Sequence, residues 1–178
     1  MLLGINQLRV KYGDQTALEI DGSICIERGE RIGVIGSNGA GKTTLIKALL
    51  GLVPYQGKII TELTPQQMAV HMQSNRYVRT MSVRHIMETI LNTRIRKDGQ
   101  LQRLIDFLEF GPCLDKRFAA LSGGQKQKFT IILVMMQRAE LTFYDEVTSG
   151  LDFETRQKLM EKLVEWYRDK ESTLVVVS

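Results

Sequence analysis

Short apolar runs alternate with amphipathic stretches along most of the chain. Near the N-terminus, LLGINQLRV and TALEIDGSICIERGE are β-prone runs broken by Gly and Asp, which predicts antiparallel strands. Farther along, RIGVIG, LTFYD and TLVVV are apolar runs of the kind that predicts strands buried on both faces. Between them, TTLIKALLGL and FETRQKLMEKLVEWYRDK have the apolar spacing of amphipathic helices. This alternation predicts an α/β fold with a mostly parallel central sheet and an N-terminal antiparallel β-subdomain.

The stretch 82–118 interrupts the alternation because it is helical throughout. Ser82 is a typical N-cap for the helix VRHIMETIL, and LQRLIDFLEF repeats the helical spacing. Before this stretch, GKIIT and QMAVHM predict a pair of strands, and after it a helix begins near SGGQKQKFTIILVMM. We therefore predict a single domain over residues 1–178 with an inserted helical subdomain. Its predicted parts are 1–81 and 119–178 for the β-subdomain and the core, and 82–118 for the helical subdomain.

The composition is that of an ordinary globular protein, since 43% of the residues are apolar and 25% are charged. No apolar run approaches the roughly 18 residues that a membrane-spanning helix needs. We expect no secretory signal, because MLLGINQLRVKYG has no long apolar core. Cys25 and Cys113 are too few and too far apart for a disulfide framework or a metal site, which favours a reducing cytosol. These features predict a cytoplasmic protein.

The net charge of +4 is unevenly distributed. Residues 76–103 contain seven arginines and lysines against two carboxylates, so this segment alone carries +5. A local basic face suits an acidic partner, such as anionic lipid headgroups, nucleic acid or an acidic protein surface. A solvated helical face explains the charge equally well, so charge alone leaves both interpretations open.

Residues 36–43, GSNGAGKT, match the phosphate-binding pattern G-x-x-x-x-G-K-[ST], with a predicted strand before them and a helix after them. Glycines let backbone N–H groups turn towards a polyphosphate, because no Cβ blocks the approach. The N-terminus of the following helix adds a positive dipole, and the lysine can reach the β- and γ-phosphates. We therefore predict a nucleotide-binding site that consists of Ser37, Asn38, Gly39, Ala40, Gly41, Lys42, Thr43 and Thr44.

A second motif, LTFYDE, ends in two adjacent carboxylates. Its apolar strand carries Asp145 to the C-terminal edge of the parallel sheet, where nucleotides bind in doubly wound folds. Asp145 and the Thr43 hydroxyl are therefore predicted Mg²⁺ ligands, and Glu146 is placed to polarise a water that attacks the γ-phosphate. An Asp-Glu pair alone is weak evidence, but beside the phosphate motif and a buried strand it becomes strong evidence.

The third motif, LSGGQ at residues 121–125, distinguishes among nucleotide-binding families. With it the chain resembles the ATP-binding domain of the ABC superfamily, and the resemblance extends over almost the whole sequence. YDEVTSGLD is similar to that family's Walker B strand, catalytic glutamate and D-loop. The resemblance implies a P-loop NTPase fold, ATP and Mg²⁺ as ligands, and catalysis by Glu146, Lys42 and Gln73.

The resemblance also implies roles for residues outside the phosphate motif. Tyr12 lies at the place of the aromatic residue that stacks on adenine, and Gln73 lies at that of the Q-loop glutamine, which also ligates Mg²⁺. In the family, two domains pair head to tail, so that the signature of one meets the γ-phosphate bound to Lys42 of the other. The residues implied in these contacts are Ser122, Gly123, Gly124 and Gln125 in the signature, and Ser149 and Asp152 in the D-loop.

Three features depart from the family pattern. Val147 replaces the usual proline after the catalytic glutamate, and the segment 57–73 is short, which implies a trimmed β-subdomain. In the family, a strand like TLVVVS is followed by a histidine that contacts the γ-phosphate, whereas this sequence ends at Ser178. We expect a longer native chain to supply that histidine, and the rate of turnover depends on it.

Three functional hypotheses follow from the resemblance. The first is the ATPase subunit of an ABC transporter, peripheral on the inner face of the cell membrane beside a separate membrane-spanning subunit. It implies a homodimer or pseudo-dimer when ATP is bound, and no binding of nucleic acid. The second is a non-transport ABC ATPase linked to cofactor assembly or nucleic acid, and the third is a slow or inactive nucleotide-binding subunit. Glu146 argues against the third, because degenerate sites tend to lose that residue.

Overall fold

The computed structural model describes residues 1–71, 77–168 and 171–178. The strands are β1 (Leu3–Tyr12), β2 (Gln15–Glu19), β3 (Ser23–Ile26), β4 (Arg31–Val34), β5 (Gln56–Thr61), β6 (Met68–His71), β7 (Leu141–Asp145) and β8 (Thr173–Val177). The α-helices are α1 (Lys42–Leu49), α2 (Val83–Ile90), α3 (Gly99–Phe107), α4 (Gly123–Met136) and α5 (Phe153–Tyr167). The chain divides into two compact units, a first of Met1–Val70, Ala139–Glu146 and Lys170–Ser178, and a second of His71–Arg138 and Val147–Asp169.

An antiparallel sheet around β1 forms the N-terminal part of the first unit. The second half of β1 pairs with β2, where Arg9 lies opposite Glu19, and its first half pairs with β3. β5 also pairs with β1. Only Gly13 and Asp14 connect β1 to β2, and Gly13 has a φ of 59°, which suits a tight hairpin turn. The predicted antiparallel strands are therefore present.

A second sheet has the strand order β4-β8-β7-β6. β8 lies between β4 and β7 and runs parallel to both. A strand in the interior of a parallel sheet has no solvent-facing side, which explains the continuous apolar run TLVVV. The prediction of an α/β fold with a mostly parallel central sheet is confirmed.

GKIIT and QMAVHM form the two predicted strands β5 and β6, but these strands are not partners. β5 belongs to the antiparallel sheet and β6 to the parallel one. Between them, Thr64 caps a short 3₁₀ turn, Pro65–Gln67. The Glu140 N–H then donates to the Gln67 carbonyl at 2.9 Å, which ties the start of β6 to β7. Strand pairing depends on such contacts between distant residues, so the local sequence pattern does not reveal it.

The core of the first unit combines apolar side chains from both sheets and α1. Leu3 and Leu8 of β1, Ile46 of α1, and Leu141 and Phe143 of β7 are all buried in it. α1 buries one apolar face, as its amphipathic spacing predicts. Because this packing holds both β4 and α1, it also fixes the two ends of the phosphate motif that connects them.

The second unit is helical and contains the predicted subdomain 82–118. α4 is buried continuously from Phe129 to Met135, so this part of it is buried on every side and is apolar except for Thr130. The Phe129 ring meets the rings of Tyr77 and Phe118 edge-on, with centroids 5.0 and 5.4 Å away. In the ranges 1–71, 77–168 and 171–178, no helix has the length and apolar character needed to cross a membrane.

The start of α5 depends on a carboxylate. Asp152 is its N-cap and accepts a hydrogen bond from the Thr155 N–H at 2.9 Å. Hydrogen bonds from Thr155 lower the pKa of Asp152 below its ordinary value. The folded state therefore gains stability from this group above its unfolded pKa of about 3.9, and loses it as the pH falls through the lower folded-state pKa.

We expect the variant Asp152→Asn to lose less thermal stability than the wild type when the pH is lowered from about 7 to about 3. Asparagine also caps helices well, so the two proteins should melt at similar temperatures at neutral pH. Melting curves followed by circular dichroism at each pH measure the difference. If both proteins lose the same number of degrees on acidification, the Asp152 carboxylate contributes nothing to the acid dependence.

Candidate functional site

The phosphate motif forms a loop between β4 and α1. Gly41 is the N-cap of α1, and no side chain caps the first turn of this helix within the described structure. The Lys42 ammonium lies inside the loop, where it donates to the carbonyls of Gly36 and Ser37 at 2.6 and 3.0 Å. Uncapped amides at a helix N-terminus and an adjacent ammonium together provide an anion-binding site.

β2 packs directly against this loop. Gly41 has a φ of 87°, and a Cβ added to it would lie 2.5 Å from the Ala17 carbonyl oxygen. Val10 pairs with Leu18 whereas Lys11 pairs with Thr16, so Ala17 is an extra residue in β2, a β-bulge. The bulge explains why β2 approaches the loop at Ala17, and the contact requires glycine at position 41.

A hydrogen bond joins the phosphate motif to the end of β7. The Thr43 hydroxyl donates to Oδ2 of Asp145 at 2.7 Å, although the two residues are 102 positions apart in the sequence. Asp145 is buried, and its other oxygen, Oδ1, has no hydrogen-bond partner within the described part of the chain. Buried carboxylate oxygens nearly always have a partner, either a hydrogen-bond donor, a water or an ion, so Oδ1 is a candidate ligand for a metal ion.

Glu146 follows at the C-terminal edge of the sheet. Its backbone N–H donates to the Val177 carbonyl of β8 at 3.0 Å. Its φ of 47° is a conformation that residues with side chains adopt rarely and at a cost in free energy. β8 also reaches the phosphate motif, because the Ser178 carbonyl accepts the Gly36 N–H at 3.2 Å. The central strand thus positions both Glu146 and the start of the loop.

These residues surround a cavity of about 370 Å³. The predicted residues that line it are Tyr12, Gly39, Ala40, Gly41, Lys42, Thr43, Thr44 and Glu146. Ser37 and Asn38 lie in the loop just before them, and Asp145 is linked to the cavity through Thr43. Three further residues line the cavity that no motif of the sequence indicated, Gln15, Thr16 and Ala17. The sequence feature that could have identified them is their position in a β-prone run, three to five residues after Tyr12.

Of the other predicted residues, those that the structure describes lie in the second unit. Ser122 and Gln125 cap each other at the start of α4: the Ser122 hydroxyl accepts the Gln125 N–H at 3.3 Å, and the Gln125 side chain accepts the Ser122 N–H at 3.1 Å. Ser122 and Gly123 are exposed, as are Ser149 and the cap Asp152 of α5. The predicted Gln73 lies outside the described residues.

Gly124 connects the signature to the D-loop region within this unit. A Cβ added to it would lie 3.6 Å from side-chain methyl carbons of both Leu151 and Thr155, so the start of α4 packs against the start of α5. The structure therefore brings the signature motif and the D-loop together.

Comparisons with known proteins agree with this architecture. The family model for the ABC transporter matches residues 21–149. The chain is 29% identical to the manganese transport system ATP-binding protein MntB of Listeria innocua, over 98% of this chain and 79% of MntB. It is 32% identical to the methionine import ATP-binding protein MetN of Rhizobium johnstonii, over 98% of this chain but only 53% of MetN.

The fold is also that of a solved structure. The cbiO1 protein of Clostridium perfringens, part of the ABC transporter complex cbiONQ, superposes with a TM-score of 0.82 at 25% identity, over 99% of this chain and 78% of that protein. A P-loop between a parallel strand and a helix, with a buried aspartate beside it, defines a nucleotide-binding ATPase domain. The chain belongs to the ABC transporter family. The predicted family, fold class and role as a transporter's ATP-binding subunit are thereby confirmed.

Proposed function

We propose that this chain binds ATP with Mg²⁺ in the cavity around Lys42 and hydrolyses it with Glu146 as the base. The observation that supports the proposal most strongly is the hydrogen bond of 2.7 Å between Thr43 and Asp145. It joins the phosphate motif to the motif LTFYDE, and the two motifs are far apart along the chain. Phosphoryl transfer requires a phosphate-binding loop and a metal-binding carboxylate close together, and this contact supports such roles for the loop and Asp145.

The residues beside the loop suit Mg²⁺. This ion prefers oxygen ligands and retains several waters, so one or two protein groups suffice to hold it. The Thr43 hydroxyl and the Asp145 carboxylate are such groups, and Oδ1 of Asp145 has no hydrogen-bond partner among the described residues. When bound, Mg²⁺ would neutralise phosphate charge and orient the β- and γ-phosphates.

The phosphate motif, Glu146 and Tyr12 have different proposed roles around the cavity. The amides of residues 39–44 and the Lys42 ammonium bind the phosphates, and Lys42 exchanges the Gly36 and Ser37 carbonyls for phosphate oxygens. Glu146 accepts the proton of the attacking water. Tyr12, which is half exposed, offers an aromatic surface on which the base stacks.

The Thr43 hydroxyl provides a test of this site. We expect Thr43→Val to lose most of the affinity that Mg²⁺ adds to ATP binding, about 10- to 100-fold, because valine has the shape of threonine without its oxygen. Thr43→Ser keeps the oxygen and should resemble the wild type. Calorimetric titration with ATP, once with Mg²⁺ and once with EDTA, measures the effect.

The two variants also distinguish the possible failures. A wild type that does not bind ATP overturns the proposed function itself. A Thr43→Val protein with the full effect of Mg²⁺ overturns the assignment of Thr43 as a metal ligand, but leaves the nucleotide site in place.

The proposal extends to the assembly. Two ATPase domains pair head to tail when ATP is bound, with Ser122 and Gly124 of one against the γ-phosphate held by Lys42 of the other. The dimer works beneath a separate membrane-spanning subunit, on the inner face of the membrane. The names of MntB and MetN, which refer to transport and import, support a transport role.

The basic segment 76–103 is a candidate surface for that membrane subunit. Two of its arginines have partners within their own unit, since Arg84 pairs with Asp115 at 2.8 Å and Arg94 with Glu88 at 2.9 Å. Glu88 is already included in the net count of +5, whereas Asp115 lies outside the segment and lowers the local positive charge further. Exposed ion pairs of this kind contribute little free energy, so electrostatic attraction alone is a weak basis for docking.

A further inference from the structure

A second polar cavity, of about 550 Å³, lies within the helical unit. It is bounded by α2, by the loop that follows this helix and by the turn that leads to α3. The polar side chains that line it include His85, Glu88, Asn92, Thr93, Arg94 and Lys97. All of them belong to the basic segment 76–103, whose charge alone left the kind of partner open.

The carboxylate in the described lining is fully engaged. Oε2 of Glu88 accepts a hydrogen bond from the Arg94 guanidinium at 2.9 Å, and Oε1 accepts the Ile95 backbone N–H at 3.0 Å. The Glu88 side chain is only 13% exposed, whereas that of Arg94 is 70% exposed. A guanidinium has five N–H donors, and this contact uses one of them. Glu88 therefore holds Arg94 at the cavity and leaves most of its donors for a ligand.

Lys97 has no counter-ion among the described residues. Its side chain makes no ion pair or hydrogen bond there. The adjacent carboxylate, Asp98, is the N-cap of α3, and its Oδ1 accepts the N–H groups of Gln100 and Leu101 at 3.0 Å each. Both carboxylates near the cavity are thus bound to backbone amides. The lining keeps an excess of positive charge, which suits an anion.

Neutral hydrogen-bonding groups complete the lining. The side chains of His85, Asn92 and Thr93 have no hydrogen-bond partner within the described structure. Asn92 has a φ of 48°, the left-handed conformation that often follows a helix, and the Thr93 N–H donates to the Glu88 carbonyl at 3.1 Å. This backbone geometry fixes the loop beside α2, so the neutral groups and the two cations are held around one space.

We propose that this cavity binds the phosphate ester of a small polyol. A phosphate group has three strong acceptor oxygens and is a usual partner of arginine and lysine, so Arg94 and Lys97 bind it. Asn92 and Thr93 bind hydroxyl groups of the polyol, because a bare phosphate would leave most of the cavity empty. Free sugar phosphates and the headgroups of glycerophospholipids share this chemistry. The proposal does not depend on ATP binding, since all these residues lie in the other unit.

The first experiment is a titration of the isotope-labelled chain with glycerol phosphate, followed by NMR. We expect the amide signals of residues 85–97 to shift, and Lys97→Gln to raise the dissociation constant measured there about fivefold, because it removes the unpaired cation. Arg96→Gln is the matched control, since Arg96 is exposed beside Lys97 but does not line the cavity. Its dissociation constant should stay within about twofold of the wild type. Shifts confined to residues 36–44, or equal weakening by the two substitutions, would overturn the proposal.

Two further probes identify the anion and its source. Glycerate carries a carboxylate in place of the phosphate, so glycerate that binds residues 85–97 as tightly as glycerol phosphate would overturn the assignment to a phosphate ester. Vesicles of phosphatidylcholine with and without phosphatidylglycerol test the lipid source. If the chain sediments with the phosphatidylglycerol vesicles and Lys97→Gln, but not Arg96→Gln, reduces this binding, the ester is a lipid headgroup. Binding of glycerol phosphate without binding to the vesicles assigns the site to a free phosphate ester.

Discussion

The variant Gly41→Ala is expected to bind ATP at least about 100-fold more weakly than the wild type. The new Cβ would lie 2.5 Å from the Ala17 carbonyl oxygen, and the φ of 87° at this position is strained for alanine. Either the loop or β2 must move, which turns loop amides away from the phosphates. Charge-assisted hydrogen bonds contribute about 1.5–3 kcal/mol each, so the loss of two or more explains the size of the effect.

Gly51 provides the matched control for this prediction. It follows the other end of α1 and has a φ of 68°, but a Cβ added there meets no atom within 4 Å. Gly51→Ala therefore has the backbone strain without the collision, and it should melt at a lower temperature while its affinity for ATP stays within about threefold of the wild type. Equal loss of affinity in both variants would show that strain in α1, not the contact with β2, controls the loop.

The second large effect concerns Glu146. We expect Glu146→Gln to release phosphate from ATP at least about 100-fold more slowly than the same chain with glutamate, because glutamine cannot accept the proton of the attacking water. The dissociation constant for ATP with Mg²⁺ should stay within about threefold, since glutamine keeps the shape of the side chain. Single-turnover hydrolysis and calorimetric titration measure the two quantities separately.

Glu165→Gln is the control for a general effect of removing one negative charge, because Glu165 is exposed on α5. It should hydrolyse ATP at the wild-type rate. A Glu146→Gln variant that hydrolyses ATP as fast as this control would rule out Glu146 as the base. A variant that no longer binds ATP would assign Glu146 to nucleotide binding.

Much of the site was predictable because its residues are contiguous in sequence motifs. GSNGAGKT is a single run, and the structure folds it into one loop before α1. Asp145 and Glu146 follow a buried strand, and a parallel sheet brings the ends of its strands to one edge. The hydrogen bond between Thr43 and Asp145 is a consequence of these two local patterns.

The parts that escaped the sequence analysis depend on contacts between distant residues. The bulge at Ala17 arises from the register in which β2 pairs with β1, and no motif in β2 indicates that register. β5 and β6 belong to different sheets because β5 pairs with β1 and β6 with β7, and the backbone hydrogen bond from Glu140 to Gln67 is one such contact between distant residues. The positive φ of Glu146 and the hydrogen bond from its N–H to the Val177 carbonyl involve residues 31 positions apart, and no local pattern encodes them. Gln15 also belongs to no sequence motif, and only its pairing with Tyr12 across the hairpin brings it to the cavity.

The most direct test of the ATP site is an experimental structure of the Glu146→Gln chain with ATP and Mg²⁺. We expect a triphosphate on the amides of residues 39–44, with Lys42 Nζ moved from the Gly36 and Ser37 carbonyls to the phosphates. We also expect the metal beside Thr43 and Asp145, and the base on Tyr12. A nucleotide bound elsewhere, or a Lys42 that stays on the two carbonyls with the nucleotide present, would contradict the proposed ATP site.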